Sequence, residues 1–305
     1  LGFERHVPSG GYVWWYVDAL SDDGAYGITL IAFIGSVFSP YYAWSRRRGG
    51  GDPLQHCALN VALYGGVKGW AMTERGSAHI QRSQNDLTIG PSRLAWDGSA
   101  LEIDIIERTM PWAGHIRGQV RVRPEAMTGR SFALDAAGQH RWSPLAPRAQ
   151  VEVILQRPEV SWKGVGYFDS NDGDVPLEQS FASWTWSRAP IEGGTAILYD
   201  VTPHSGTGAS LALRINRTGS VTDFAAPPLA TLPKTRWRVP RATRADGGHA
   251  SVRQTLEDTP FYARSVLNSR LLGQEVTALH ESLSLQRFRS PVVQAMLPFR
   301  MPRAG

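Results

Sequence analysis

Short runs in which every second residue is apolar dominate this chain, and they set its fold class. Leu101, Ile103 and Ile105 alternate with Glu102, Asp104 and Ile106. Val120 and Val122 alternate with Gln119, Arg121 and Arg123, and Val151, Val153 and Leu155 with Glu152 and Ile154. Leu211, Leu213 and Ile215 alternate with Ala212, Arg214 and Asn216. A period of two belongs to the β-strand, whose successive side chains point to opposite faces. Similar runs occupy residues 12–18, 28–38, 58–64, 67–74, 183–188 and 196–201. Turn residues separate many of them: Asp22-Asp23-Gly24, Asp97-Gly98, Asn171-Asp172-Gly173 and Thr218-Gly219. Many short strands joined by such turns predict an all-β chain of antiparallel sandwiches or barrels. One segment, 261–272, reads equally well as a strand or as a helix capped by Thr259 with Pro260 at its first position.

Pro144 and Pro147 lie close together in Ser143-Pro144-Leu145-Ala146-Pro147-Arg148. Proline cannot donate to a sheet ladder, so this stretch predicts a boundary between two β domains, 1–145 and 146–305.

Several function classes lack their sequence signature. None of the eight histidines has a second close enough for a local chelating pair, and the single cysteine, Cys57, reads as a small buried hydrophobe. Gly49-Gly50-Gly51 and Gly193-Gly194 lack the strand–loop–helix context of a nucleotide site. No metal or cofactor is therefore expected. The longest apolar stretch, 28–38, is about half of what a helix needs to cross a bilayer. The net charge is +5, with its densest run at Arg46-Arg47-Arg48. That run reads first as a solvated loop, and alternatively as a contact for anionic lipid headgroups. No nucleic-acid motif accompanies it. The chain begins with Leu1 rather than Met, which leaves an upstream targeting segment open.

Eleven Trp, nine Tyr and ten Phe are an unusual load, and the aromatic segments read either as core packing of a β domain or as one wall of a large apolar cavity. In Tyr12-Val13-Trp14-Trp15-Tyr16-Val17-Asp18, a strand places Tyr12, Trp14 and Tyr16 on one face and Trp15 on the other. Trp184 and Trp186 likewise share a face. Two patterns carry proton-handling groups. His140 and Trp142 of His140-Arg141-Trp142 project together, as do Tyr167 and Asp169 of Gly164-Val165-Gly166-Tyr167-Phe168-Asp169-Ser170-Asn171. Without further information these are a hydrogen-bonded core histidine and a turn aspartate, or a catalytic group.

At these residues the chain resembles the carotenoid 1,2-hydratase (hydroxyneurosporene synthase) family of phototrophic bacteria. The resemblance runs from Gly11-Tyr12-Val13-Trp14-Trp15-Tyr16-Val17-Asp18-Ala19-Leu20-Ser21-Asp22-Asp23-Gly24 through Ser36-Val37-Phe38-Ser39-Pro40-Tyr41-Tyr42. It continues in His140-Arg141-Trp142-Ser143-Pro144 and Gly164-Val165-Gly166-Tyr167-Phe168-Asp169. It implies two lipocalin-like antiparallel β-barrel or sandwich domains with the active site near their junction. It also implies addition of water across the terminal C1–C2 double bond of lycopene- or neurosporene-type carotenoids, giving a 1-hydroxy product without a cofactor. The family's important residues match His140, Trp142, Tyr167 and Asp169. In the implied mechanism Asp169 protonates C2, Trp142 and Tyr167 stabilise the cation at C1, and His140 either orients the water or holds Asp169 protonated. The membrane-borne substrate implies a cytoplasmic protein in transient contact with the photosynthetic membrane surface, for which the terminal segment 292–300 is a further candidate. Two other readings fit the same residues: a non-catalytic lipocalin-like carrier of carotenoid or lipid, and a cyclase or pericyclase of the related superfamily.

Overall fold

The computed structural model describes residues 1–304, and 57% of the chain is strand against 11% helix. The first twelve strands are β1 (Tyr12–Ser21), β2 (Tyr26–Ile34), β3 (Cys57–Gly65), β4 (Gly69–Met72), β5 (Ile80–Arg82), β6 (Asp86–Ile89), β7 (Ser92–Trp96), β8 (Leu101–Thr109), β9 (Gly114–Pro124), β10 (Phe132–Ala133), β11 (His140–Arg157) and β12 (Glu159–Gly173). Eight of them close on themselves in the order β11-β12-β1-β2-β3-β4-β8-β9 and back to β11. The rest follow as β13 (Phe181–Ile191), β14 (Gly194–Pro203), β15 (Ala209–Asn216), β16 (Val221–Asp223), β17 (Leu229–Leu232), β18 (Arg241–Arg244), β19 (Ala250–Asp258), β20 (Tyr262–Leu271) and β21 (Gln274–Ser284). Seven of these form one antiparallel sheet, β16-β15-β14-β13-β21-β20-β19, and β17 pairs with β18. The fold is all-β, built from two lipocalin-like units.

The alternation read from the sequence fills the ring of the first unit. Val13, Trp15 and Val17 of β1 pack with Ile28 and Leu30 of β2, Leu59 and Val61 of β3, Ile103 and Ile105 of β8, Val120 and Val122 of β9, Val151 and Val153 of β11, and Phe168 of β12. Eight strands enclose just enough space for side chains, and here side chains occupy it. The interior of this barrel is an apolar core.

The division at 145/146 falls inside one continuous strand, β11. Pro144 and Pro147 do interrupt the ladder, as register shifts between Ser143 and Ala146 and between Ala146 and Ala149. Flanking hydrogen bonds hold the strand together across these bulges, so the prolines bend it instead of ending it. By contacts, the first unit comprises residues 1–132, 139–176 and 295–304 of the described residues, and the second 133–138 and 177–294. Segment 261–272 resolves as strand, because Tyr262–Leu271 pairs on one edge with β19 and on the other with β21.

The expected loop at Arg46-Arg47-Arg48 is instead the end of a helix, α1 (Pro40–Arg47). Ser39 caps it by accepting from the Tyr42 amide at 3.1 Å, Pro40 fits the first turn, and two arginines complement the C-terminal dipole. The Tyr42 hydroxyl donates to the Gly11 carbonyl at 2.7 Å, which fixes the approach to β1.

The first unit also buries an ion pair. Arg75 donates to Glu107 through two nitrogens, at 3.0 and 2.9 Å, and the Ser92 hydroxyl donates at 2.9 Å. Burial pushes the Glu107 carboxyl up, opposed by its bonds to Arg75 and Ser92. Gly90 makes room for the guanidinium: a Cβ there would sit 2.3 Å from Arg75 Nε, and its φ of +60° already favours glycine. Removing one partner leaves an uncompensated buried charge. Arg75→Met should therefore lower the unfolding free energy by about 3–5 kcal/mol, read from urea midpoints, and Arg75→Met with Glu107→Leu should recover most of it. Equal midpoints for the single variant and the parent would show that the pair contributes nothing.

Candidate functional site

Strand β1 is flanked by β2 and β12, and β12 by β11. In the β1–β12 pair, Tyr12 lies opposite Gly173, Trp14 opposite Asn171, Tyr16 opposite Asp169, and Asp18 opposite Tyr167. In β11, His140 lies opposite Gly173 and Trp142 opposite Asn171. Residues opposite one another in an antiparallel pair project to the same face. All of these therefore share the face turned away from the barrel core, whereas Val13, Trp15, Val17 and Phe168 fill the interior. Segment 171–173, expected as a turn, completes β12 and pairs with the start of β1.

This outer face is buried, with His140, Trp142 and Tyr167 fully inaccessible and Asp169 at 5%. Two donors converge on one oxygen: Trp142 Nε1 and the Tyr167 hydroxyl each reach Asp169 Oδ2 at 2.8 Å. The Tyr16 hydroxyl donates to Asp18 Oδ2 at 2.9 Å. The rings of Tyr16 and Tyr167 meet edge to face at 6.1 Å. Burial, followed by the charge and hydrogen bond of Asp169 and the charge of Asp18, pushes the Tyr167 phenol well above its ordinary value. Tyr167 is therefore a hydrogen-bond donor throughout the neutral range.

The four residues expected from sequence share the face but not one contact set. Asp169, Trp142 and Tyr167 are joined directly. His140 lies four residues along β12 from Asp169, about 13 Å at the rise of a strand. Its imidazole Nδ1 shares a 2.9 Å hydrogen bond with the Tyr12 hydroxyl, and Tyr12 in turn stacks on Trp14. A direct bond from His140 to Asp169, one of its two expected roles, is out of reach. Gly173 allows the Tyr12–His140 pair, since a Cβ there would lie 2.5 Å from the tyrosine ring and 2.7 Å from Nδ1. Arg141, between His140 and Trp142, donates to Asp172 at 2.6 Å and to Asp174 at 2.9 and 2.8 Å. That clamp fixes the β11–β12 register that delivers Trp142 to Asp169.

Sequence reasoning gave Asp18 no role and read Tyr16 only as part of a candidate binding wall. A signal was present: Tyr-x-Asp occurs as Tyr16-Val17-Asp18 and again as Tyr167-Phe168-Asp169. The two copies run antiparallel and in register, so each tyrosine faces the other copy's aspartate.

Other reactive groups have structural work. Burial pushes the Cys57 thiol up to about 12, as expected of a small hydrophobe. Burial lowers His280 to about 4, and its Nε2 bonds the Ala242 carbonyl at 2.8 Å. His56 Nδ1 lies 3.0 Å from Glu74, which Arg303 also contacts. A cleft of about 710 Å³ on the second unit is lined by Asp246, His249, Asn268, Arg270 and Glu275, a polar set that shares nothing with this face. In the second unit Trp184 and Trp186 lie outside the apolar cluster of Leu198, Leu267 and Leu271, and Trp184 meets Tyr199 edge to face at 6.4 Å.

Comparison with known proteins bears on this arrangement. The chain is 58% identical over 306 residues to an acyclic carotenoid 1,2-hydratase of Thiocapsa roseopersicina, covering 99% of this chain and 76% of that protein. It is 49% identical to an acyclic carotenoid 1,2-hydratase of Rubrivivax gelatinosus, covering 99% and 75%. The crystal structure of kievitone hydratase from Nectria haematococca shares the fold with a TM-score of 0.56 at 12% identity, over 93% of this chain and 92% of that one. The family model for carotenoid hydratase CrtC matches residues 30–305, and with these relatives it shows that the chain belongs to the carotenoid hydratase CrtC family.

Proposed function

We propose that this chain hydrates the terminal C1–C2 double bond of acyclic carotenoids of the lycopene and neurosporene type, with Asp169 as the acid. The observation that carries this reading is the pair of hydrogen bonds from Trp142 and Tyr167 to a single Asp169 oxygen. Protonating an alkene carbon requires an acid that is neutral at rest and whose conjugate base is stabilised once the proton leaves. Burial favours the neutral carboxyl. The two donors then stabilise the carboxylate that forms.

Proton transfer to C2 leaves a tertiary cation at C1. The ring faces of Trp142 and Tyr167 carry negative quadrupole density, each contributing on the order of 0.5–2 kcal/mol to a nearby cation. Water then bonds to C1 and loses a proton. Net addition of water moves no electrons and no carried group, so acid–base chemistry suffices and no cofactor is required. His140 is assigned a positioning role, holding Tyr12 in the aromatic row that continues through Trp14. A carrier that takes its ligand into the first barrel is disfavoured by the packed interior, whereas a hydratase working on the outer face is not.

The substrate is a membrane hydrocarbon, so the enzyme is proposed to work at a membrane surface, on the cytoplasmic side. Support comes from helix α1, where exposed Trp44 is stacked under the Arg48 guanidinium at 3.8 Å beside Arg46 and Arg47. Such a cluster suits an interface with anionic headgroups. No helix of the described residues is long and apolar enough to cross a membrane. Replacing Arg46, Arg47 and Arg48 by Gln should reduce cosedimentation with phosphatidylglycerol vesicles severalfold and leave turnover of detergent-dispersed lycopene unchanged. Unaltered vesicle binding would remove this surface from the account.

Purified enzyme and lycopene should give the 1-hydroxy carotenoid, and exhaustive chelation and dialysis should leave the rate unchanged. A loss restored only by a defined metal or nucleotide would contradict the cofactor-free mechanism. Asp169→Asn removes the transferable proton while keeping the side chain's outline. It should abolish alcohol formation with thermal midpoint and retained carotenoid close to those of the parent. Asp169→Glu moves the acid by about 1 Å and should lower the rate on the order of 100-fold. Hydration by Asp169→Asn near the parental rate would show that another group is the acid.

A further inference from the structure

The reaction needs a second group. Once C1 is cationic, the attacking water must give up a proton, and Asp169 has just become a carboxylate on the C2 side. His140 is about 13 Å away along β12. Asp18 is much closer. It stands two residues beyond Tyr16, which is directly opposite Asp169, so the Cα positions of Asp18 and Asp169 are diagonal neighbours about 7–8 Å apart across the β1–β12 pair. Asp18 is buried to 1% accessibility, on the same outer face.

Two carboxyl groups on neighbouring strands and one face can divide the work at the two ends of a double bond, one as acid and the other as base. Tyr16 mirrors Tyr167: each tyrosine donates to the aspartate two residues on in its own strand, at 2.9 and 2.8 Å. Tyr16 thus fixes Asp18 Oδ2 as Tyr167 fixes Asp169 Oδ2.

We propose that Asp18 is a second catalytic residue, the base that takes the proton from the water attacking C1. The proposal rests on the reading of Asp169 as the acid. In the forward direction the Asp169 O–H bond breaks and its proton bonds to C2 through the π pair. The water oxygen bonds to C1, and one water proton passes to an Asp18 oxygen. The site is left with Asp169 ionised and Asp18 protonated. Exchange with water after product release restores the starting state. Because both carboxyl groups project from one face of one sheet, the alkene presents the same side to both. Hydrogen and hydroxyl are then added to the same side of the double bond.

Isotope exchange separates the two aspartates. When 1-hydroxylycopene is incubated with enzyme in H₂¹⁸O, breaking and remaking the C1–O bond needs the Asp18 proton but not a proton on Asp169. Asp18→Asn should lower hydration by on the order of 10²–10⁴-fold and abolish ¹⁸O uptake into the alcohol. Asp169→Asn should lose hydration yet keep ¹⁸O uptake. Parental ¹⁸O exchange by Asp18→Asn, or hydration within about threefold of the parent, would overturn the proposal. Hydration by Asp169→Asn would instead overturn the assignment of the acid and leave the ¹⁸O result to judge Asp18. A second measurement needs no variant, and so survives a misfolded Asp18→Asn. Lycopene labelled with ¹³C in one terminal methyl is hydrated by the parent enzyme in D₂O, and the relative configuration at C1 and C2 is read by NMR. Addition to the same side supports the paired carboxylates of one wall, and addition to opposite sides rules them out.

Discussion

Everything in the site depends on the pairing of β1 with β12 in one register. That register sets Tyr16 against Asp169 and Asp18 against Tyr167. A slip by one residue would turn every side chain of a strand to the other face, sending the carboxyl groups into the barrel and the core valines out. The apolar interior therefore fixes which side chains face outward. Val13, Trp15, Val17 and Phe168 lose their apolar neighbours if the register changes, and carboxyl groups enter the apolar core in their place. Core packing and catalytic geometry are enforced by the same hydrogen-bonded ladder.

The outer face is accordingly preorganised by backbone instead of by loops. Trp142, Tyr167 and Asp169 come from the adjacent strands β11 and β12, and Tyr12, Tyr16 and Asp18 from β1. The Arg141 clamp on Asp172 and Asp174 ties β11 to β12 at the end where His140 sits, just before proline bulges bend β11. Rigid elements hold reacting groups more closely than loops do. A substrate with almost no polar handle gives the enzyme little to orient it by, so the protein must supply the order itself.

Period-two alternation was enough to read the fold class, and it also separated Trp15 from Tyr12, Trp14 and Tyr16 correctly. The boundary at 145/146 was misread because proline's missing N–H looks the same from sequence whether it ends a strand or bulges one. Asn171-Asp172-Gly173 has turn composition, yet Gly173 is there to admit the Tyr12–His140 contact and Asp172 to take Arg5 and Arg141. Composition reports which residues tolerate a turn, not which are needed elsewhere. The His140–Asp169 distance was illegible for a different reason. Local spacing shows that two side chains share a face, but only strand register shows how far along that face they lie. Asp18 was hidden by its aromatic neighbours, although the repeated Tyr-x-Asp marked it.

The proposed role of Asp169 has to meet a difficulty in using an aspartate as an acid toward carbon. Donors that stabilise a carboxylate make it a stronger acid, but they also favour its ionisation before substrate arrives. Burial acts in the opposite sense, penalising the charge at rest. The two effects can both serve catalysis if the donors are weak acids that never surrender their own protons. Tyr167, with its phenol pushed far upward, and Trp142, whose indole N–H only donates, satisfy that condition. A lysine or arginine in their place would hold the carboxylate permanently ionised. In the proposed mechanism, neutral donors inside a buried face let the carboxyl group keep a proton at rest and stabilise the carboxylate once an alkene carbon has taken it.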